Sequence, residues 1–539
     1  MLPLLILFCS ILFHSSHSEI FTAMVDLENL IHGESYIMNS IDRYIEAEQA
    51  RLKQLKEVAK EYQSHNREYL DKGSNAISNP VNAFLTLKQI TSGWEYVESL
   101  MRSSNADGIL QNITAQRVES AIKFPGKDDV TGAGVAILRL QDTYKIPTAE
   151  IASGRIKGIE PSNSLSARDC FELCRIAYNQ RDYYHTLLWA QEAINKLNQE
   201  PESKQTLEEH EVLEYLAYSL YQQGNVQRAL HVTERLNQLD PEHPRASGNI
   251  QYYKDILQEQ GETYIAETSN DLPPVVNFRP EGTVTNEMSD YEMLCRDEGN
   301  DKGRAYEATL FCYYKDTHPI YSQFIRLAPI KVEIVHWKPQ IVIFRDVISD
   351  QEVEHLKQLA YPKLKRATVF NAKGELEPAD YRTAKSAWLQ DEDSHIVRRI
   401  NKRLDVMTNL DMTTAEQLQM ANYGLGGHYE PHYDMSTREN DMDRYSGGTG
   451  NRIATLLFYL EAPEAGGATI FTSLKVTLFP TKNDAAFWHN VKRNGKPDLS
   501  TRHAACPVLS GQKWVANKWI HEVKQEFRRP CTIDKDEYI

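Results

Sequence analysis

After its first eighteen residues, the 539-residue chain has no apolar run approaching the twenty residues that a membrane-crossing helix requires. It also lacks a dense basic run, and its formal charge is −15. Nucleic acid and anionic membrane are thereby excluded as main partners. The metalloprotease motif H-E-x-x-H is absent, although zinc hydrolysis stays open in principle. Cysteine is scarce, with seven in all. The opening MLPLLILFCSILFHSSHS is apolar and ends in the small residues Ser16 and Ser18. It reads as a secretory signal peptide (1–18), cleaved between Ser18 and Glu19. Cys9 leaves with it, and Cys170, Cys174, Cys295, Cys312, Cys506 and Cys531 remain. In an oxidising compartment these are disulfide candidates. Neighbouring pairs are the economical expectation, Cys295 with Cys312 and Cys506 with Cys531. Cys170 and Cys174, on one expected helix, are left open. Asn112-Ile-Thr is an acceptor sequon for glycosylation of a lumenal surface loop.

With 41% hydrophobic residues, the chain is long enough for several domains. Residues 19–158 read as helical, with Ile37, Ile41, Tyr44, Leu52, Leu55, Ala59 and Tyr62 at 3–4 spacing and Glu48 interrupting the seam. Either a helical bundle or a coiled-coil dimerisation seam fits that pattern. Residues 163–258 contain an internal echo. AYNQRDYYHTLLW and LYQQGNVQRALHV align 43 residues apart, matching Tyr178 with Tyr221 and Asp182 with Asn225. This resembles two degenerate tetratricopeptide repeats with a lengthened connection. Tyr215, Tyr218 and Tyr221 lie three apart on one helix face, joined by Tyr183, Tyr184, Tyr252 and Tyr253. Such a stripe is core or an aromatic groove for polyproline II peptides; the tyrosine hydroxyls favour the groove. Residues 261–335 read as a linker containing the Cys295–Cys312 loop. From 336 to 539, short strands such as QIVIFRDVI, RIATLLFYLE and QKWVANKWI alternate with glycine-rich turns, which indicates a sandwich or jelly roll.

HYEPHYD at 428–434 carries the chemistry. As a regular strand it would place His428, Glu430, His432 and Asp434 on one face and Tyr429, Pro431 and Tyr433 on the other. His-x-Asp with a distant histidine can form the two-histidine, one-carboxylate triad that binds iron(II) and leaves positions for substrate and oxygen. His489, His503 and His521 are all available as the distal ligand. In GQKWVANKWIHE, Lys513, Asn517 and His521 share a strand face. A lysine buried there is costly unless it meets an anion.

NYGLGGHYEPHYD, GNRIATLLFYL, EAGGATIF, STRHAACPVL and GQKWVANKWIHE together resemble the catalytic region of the collagen prolyl 4-hydroxylase alpha subunit. The likeness continues through YRTAKSAWL, LQDTY and the tyrosine-rich repeats, across nearly the whole mature chain. It implies a three-part architecture: an N-terminal helical or coiled-coil region, a tetratricopeptide-like peptide-binding domain, and a C-terminal double-stranded β-helix (jelly-roll). It implies His432, Asp434 and His503 as iron ligands, and Lys513 as partner of the distal carboxylate of 2-oxoglutarate. His521 and Tyr423 are implied as contacts of 2-oxoglutarate or of its carboxylate near the metal; the stripe itself gives Tyr183, Tyr215, Tyr218, Tyr221 and Tyr253 as the candidate peptide groove. His428 and Glu430 then fall outside the metal's ligands, and a Cys506–Cys531 bridge would hold the strand of His503. The implied reaction hydroxylates C4 of peptidyl proline in X-Pro-Gly repeats, with 2-oxoglutarate and O2 giving succinate and CO2, and ascorbate rescuing oxidised iron. A lysyl hydroxylase is the enzymatic alternative, but its pattern has arginine in place of Lys513. A non-catalytic proline-rich-peptide scaffold would not require the four site residues. The chain ends in DEYI, which is no lumenal retrieval signal. The resemblance resolves this through protein disulfide isomerase as retained partner, in an α2β2 tetramer in the endoplasmic reticulum lumen with procollagen as substrate.

Overall fold

The computed structural model describes residues 20–533, apart from 74–79, 104–107, 110, 112–124, 202, 204, 262–270, 281–284, 299–305, 307, 320–321, 371–374 and 438–447. Asn112, the signal peptide and the terminal DEYI lie outside the described residues. Among the described residues, no helix is long and apolar enough to cross a membrane. The chain forms two units, 25–126 and the remainder, so the expected 19–158 region is divided within itself.

The first unit is led by α1 (Met24–Lys72), about 74 Å long at 1.5 Å per residue. The chain returns as α2 (Pro80–Lys88), passes a π-helical turn at Gln89–Gly93 and continues as α3 (Trp94–Arg102). Tyr62 donates to the Gln89 carbonyl at that turn (3.0 Å). Arg51 donates to the Leu100 and Met101 carbonyls at the end of α3, both at 3.3 Å, while pairing with Glu48. The glutamate that interrupts the seam therefore steadies the arginine that caps a neighbouring helix. Ile41 and Leu52 of the stripe stay half exposed within this unit.

In the second unit, α4 (Lys127–Tyr144) and α5 (Thr148–Ser153) lead into two helix pairs, α6 (Ala167–Asn179) with α7 (Tyr183–Gln199) and α8 (Glu209–Gln222) with α9 (Val226–Leu239), closed by α10 (Ala246–Glu259). The 43-residue echo is structural: Asp182 and Asn225 stand immediately before α7 and α9, and Asp182 caps its helix by accepting from His185 N. Leu173, Leu187, Trp189, Ala190, Leu216 and Leu230 form the shared core. Cys170 and Cys174 are buried free thiols within it.

The expected linker is substantially ordered. Residues 271–280 lie extended along the helical repeats, held by paired side-chain amide bonds. Asn225 donates to the Val276 carbonyl (2.6 Å) and accepts from its N–H (2.7 Å). Gln223 does the same with Phe278, at 3.1 Å each way. Then α11 (Asn286–Cys295) docks its Tyr291 and Leu294 against Ile470 and Ala504.

The strands that matter are β1 (Cys312–Lys315), β2 (Ile330–Trp337), β3 (Gln340–Arg345), β4 (Lys365–Arg366), β5 (Lys385–Leu389), β6 (Leu418–Tyr423), β7 (Tyr429–His432), β8 (Arg452–Glu461), β9 (Thr469–Phe471), β10 (Val476–Leu478), β11 (Ala485–His489), β12 (His503–Ala505) and β13 (Lys513–His521). The major antiparallel sheet runs β1-β2-β3-β11-β8-β13-β6-β5-β4, and the minor sheet β10-β9-β12-β7. Their inner faces share a core that includes Tyr459, Phe471, Trp488 and Val515. The helix expected near 350–360 is α12 (Asp350–Ala360), which Ser349 and Glu352 start with a reciprocal capping box. A second helix, α13 (His395–Thr408), was not anticipated.

The disulfide expectation is corrected. Cys295 bonds to Cys506, 211 residues away, whereas Cys312 and Cys531 are exposed and free. Cys312 begins the edge strand β1, while α11 carries Cys295 to the minor sheet. Helix docking, not proximity along the chain, selects the pair.

Candidate metal centre and peptide groove

Neighbouring strands of the minor sheet carry the two histidines, and His503 pairs directly with His432 in the register. The next pairing is Ala505 with Tyr429, so β7 contains one extra residue relative to β12. That bulge breaks the alternation assumed for HYEPHYD. Tyr429 consequently stacks on His432, with ring centroids 3.5 Å apart. His428 and Glu430 instead line a cavity of about 510 Å³ with Arg139, Asp142, His185 and Glu292. The four residues do not share one face, and this separates ligands from non-ligands. Burial, followed by the nearby Arg139, pushes the His428 imidazole down to about 4.

His432, Asp434 and His503 come together with their ligand atoms all within 4.8 Å. The distances are 3.7 Å from His432 Nε2 to Asp434 Oδ1 and 3.5 Å from His503 Nε2 to Asp434 Oδ2. Each imidazole is oriented by a carbonyl two residues back. His432 Nδ1 donates to Glu430 O (2.8 Å) and His503 Nδ1 to Thr501 O (3.0 Å). Both Nε2 lone pairs are therefore free to coordinate. Thr455 donates to Asp434 Oδ2 (2.7 Å), and Asn490 donates to Thr455 Oγ1 (2.8 Å). Burial raises the Asp434 carboxyl, but the two histidines outweigh it and hold the group near 2. His489, at the end of β11, is not in this cluster. Among the described residues the donor set fits a divalent iron: two imidazoles, one carboxylate and no fourth protein ligand.

Lys513 fits the expected cosubstrate role. It is 1% exposed, and the register places it opposite Tyr423, with Nζ 5.3 Å from that ring. No acid pairs with it among the described residues, and burial pushes its ammonium down to about 7. Gly467, in the left-handed region, packs at ordinary contact distance from the lysine stem, and a Cβ there would stand 2.7 Å from Pro463 Cγ. A buried cation without an anion is a cradle for a carboxylate.

His521 has partners of its own in this structure. It lies at the opposite end of β13, about 26 Å from Lys513 at 3.3 Å per residue. Its ring contacts Thr449 Oγ1 (2.7 Å), Gly450 O (2.9 Å) and Glu416 Oε1 (3.0 Å). Glu416 also pairs with Arg452, which donates to the Asp434 carbonyl (3.2 Å). A polar chain through Glu416 and Arg452 thus links His521 to the metal cluster.

The tyrosines form a continuous ladder of ring contacts: Tyr178–Tyr215 at 4.9 Å, Tyr183–Tyr218 at 5.6 Å, Tyr218–Tyr221 at 6.2 Å and Tyr221–Tyr252 at 5.7 Å. Tyr183, Tyr215, Tyr218 and Tyr221 are partly exposed. Tyr253 is 1% exposed and belongs to the core under Tyr221, so it cannot present its ring to a peptide. Tyr178 and the half-exposed Tyr252 take places in the ladder that were not assigned to them. The 43-residue echo already paired Tyr178 with Tyr221 and was the available signal. Nothing in the sequence marked Thr455 or Asn490.

A two-histidine, one-aspartate cluster at the minor sheet of a jelly roll, together with a buried lysine on the major sheet, defines an iron(II)- and 2-oxoglutarate-dependent oxygenase. Residues 418–521 match the 2OG-Fe(II) oxygenase superfamily, 167–259 the prolyl 4-hydroxylase peptide-substrate-binding domain, and 23–158 the prolyl 4-hydroxylase alpha-subunit N-terminal region. The chain is 50% identical over 522 residues to prolyl 4-hydroxylase subunit alpha-2 of Caenorhabditis elegans (97% of this chain, 95% of the relative). It is 42% identical over 525 residues to the human subunit alpha-1 (96% and 97%). A viral collagen prolyl hydroxylase structure from Paramecium bursaria chlorella virus-1 aligns at 28% identity and TM-score 0.28, covering 34% of this chain and 96% of its own. The chain belongs to the prolyl 4-hydroxylase alpha-subunit family.

Proposed function

We propose that the chain hydroxylates C4 of proline in collagen-type X-Pro-Gly repeats, coupled to decarboxylation of 2-oxoglutarate. The convergence of His432, Asp434 and His503 in a domain that also buries Lys513, with no acid paired to it among the described residues, carries this proposal. When bound, the iron supplies oxygen activation. The chain's residues hold and orient the reactants. His432, Asp434 and His503 are fixed before the metal arrives, because Glu430, Thr501 and Thr455 already occupy their remaining polar atoms. Lys513 takes the distal carboxylate of 2-oxoglutarate, and Tyr429 and Trp488 wall the cluster with aromatic surface that excludes water. The tyrosine ladder holds a long proline-rich substrate by stacking.

Family membership supports a wider assembly. Ascorbate rescues oxidised iron, protein disulfide isomerase retains the chain in the endoplasmic reticulum lumen, and the half-exposed stripe of α1 joins two chains in an α2β2 tetramer. Incubation with iron(II), 2-oxoglutarate and a (Pro-Pro-Gly) repeat peptide tests the activity. One added oxygen per modified proline is expected; decarboxylation without peptide oxidation would overturn it.

A further inference from the structure

The loop that joins the lysine cradle to the metal strand is Gly424-Leu425-Gly426-Gly427. It leaves β6 just after Tyr423, opposite Lys513, and enters β7, which ends at His432. It therefore links the carboxylate cradle directly to the strand of the first candidate iron ligand. Three contacts inside the oxygenase hold it. Gly426 N donates to Val508 O (3.2 Å), Val508 N to Gly427 O (3.0 Å), and His428 exchanges backbone bonds with Thr383.

The remaining contacts come from the far end of the chain. Gly424 N donates to Thr22 O (3.1 Å), and a Cβ at Gly424 would meet Phe21 O and would stand 2.6 Å from Ala23 N. Ile20, Thr22 and Ala23 are at most 1% exposed. Ile20 N donates to the buried Asp129 carboxylate of α4, and the Phe21 ring lies where a Cβ on Gly132 would stand. From α4 itself, Arg139 donates to Gly426 O (3.1 Å), and Ala136 is so close that a Cβ at Gly426 would stand 2.9 Å from its methyl group. Residues up to Met24 and from Lys127 onward accordingly belong to one unit.

We propose that Ile20–Ala23, clamped by α4, is a positioning element of the active site: it holds the glycine loop so that Lys513 and His432 are correctly spaced for 2-oxoglutarate. The N-terminal region thus completes the oxygenase, which is not self-contained at 336–539. This rests on the iron and 2-oxoglutarate reading above.

The test uses the full chain purified with its partner subunit, in three forms: Gly424→Ala, Gly132→Ala, and deletion of residues 20–23. Anaerobic titration with iron(II) and 2-oxoglutarate follows the visible charge-transfer absorption of a chelated 2-oxo acid. Calorimetry with a (Pro-Pro-Gly) peptide reports the tyrosine ladder as a folding control. Each variant should require at least about tenfold more 2-oxoglutarate, since ångström misplacements cost up to about a hundredfold. KM should rise more than kcat falls, peptide affinity should stay unchanged, and Phe21→Leu should restore Gly132→Ala. Wild-type 2-oxoglutarate affinity in Gly424→Ala and Gly132→Ala, with intact peptide binding, would overturn the proposal. If the deletion loses peptide binding, it has unfolded, and the two glycine variants decide. Absence of the absorption in the wild-type chain would instead overturn the proposed function.

Discussion

The metal cluster and the tyrosine ladder bind different things, and they are built on opposite plans. In the cluster, each ligand has its spare polar atom committed to a carbonyl or hydroxyl, and neighbouring strands fix the spacing. In the ladder, the rings support one another edge to face or tilted, and most remain open to solvent on one side. Chemistry at one carbon needs ligands held to a fraction of an ångström. A repetitive peptide needs only flat, rigid surface at low entropic cost. Removing one cluster residue should therefore abolish function, whereas removing one rung should only weaken binding.

The largest expected effect separates the two regions outright. His432→Ala, Asp434→Ala or His503→Ala should each eliminate hydroxylation, because the cluster has no spare ligand among the described residues. Calorimetric binding of (Pro-Pro-Gly) peptides should persist in all three. His428→Ala, on the other face of the bulged strand, should retain turnover; loss of turnover with normal iron binding would show that the cavity side matters to chemistry. Next comes the bridge behind β12. Cys506→Ser should cost about 5 kcal/mol in the chain-entropy picture for a closure of 211 residues. Cys312→Ser and Cys531→Ser should leave denaturant midpoints unchanged.

Lys513 sharpens the contrast through pH. Its ordinary value is 10.5 and burial lowers it to about 7, so unfolding takes up a proton between those values. Stability of the protein without 2-oxoglutarate should rise with pH across that window, by on the order of 5 kcal/mol. Lys513→Met should flatten that rise while raising the KM for 2-oxoglutarate, through the loss of about 1.5–3 kcal/mol of charge-assisted contact. An unchanged KM would place the cosubstrate elsewhere.

Local pattern was legible in the sequence, and partnership between distant segments was not. Helix stripes, the repeat offset and His-x-Asp all depend on residues close along the chain. The bulge in β7 depends on its register with β12, seventy residues on, so alternation alone put Glu430 on the metal face. The Cys295–Cys506 pair depends on helix α11 docking on the minor sheet. His521 shares a strand face with Lys513, as expected, but the length of the strand separates them. The tyrosine stripe showed which rings are neighbours without showing that Tyr253 lies beneath and Tyr252 outside.

That last distinction allows the finest test of the ladder. Tyr218 touches Tyr178, Tyr183 and Tyr221, so Tyr218→Ala removes the central rung and should weaken peptide binding by about 1–3 kcal/mol, the range of aromatic stacking losses. Tyr252 contributes differently. Its hydroxyl lies 2.8 Å from that of Tyr221, and one of the two must donate. Tyr252→Phe keeps the ring and removes one partner from a half-exposed hydrogen bond, so water can replace it. The expected loss is about 0.5 kcal/mol, at the low end for a neutral bond. Titrating one proline-rich peptide against both variants should therefore give a large change for Tyr218→Ala and at most about a threefold change for Tyr252→Phe. Equal losses would mean that the hydroxyl pair, not the ring surface, recognises the peptide, and that the groove reads hydrogen bonds as selectively as the metal cluster holds its ligands.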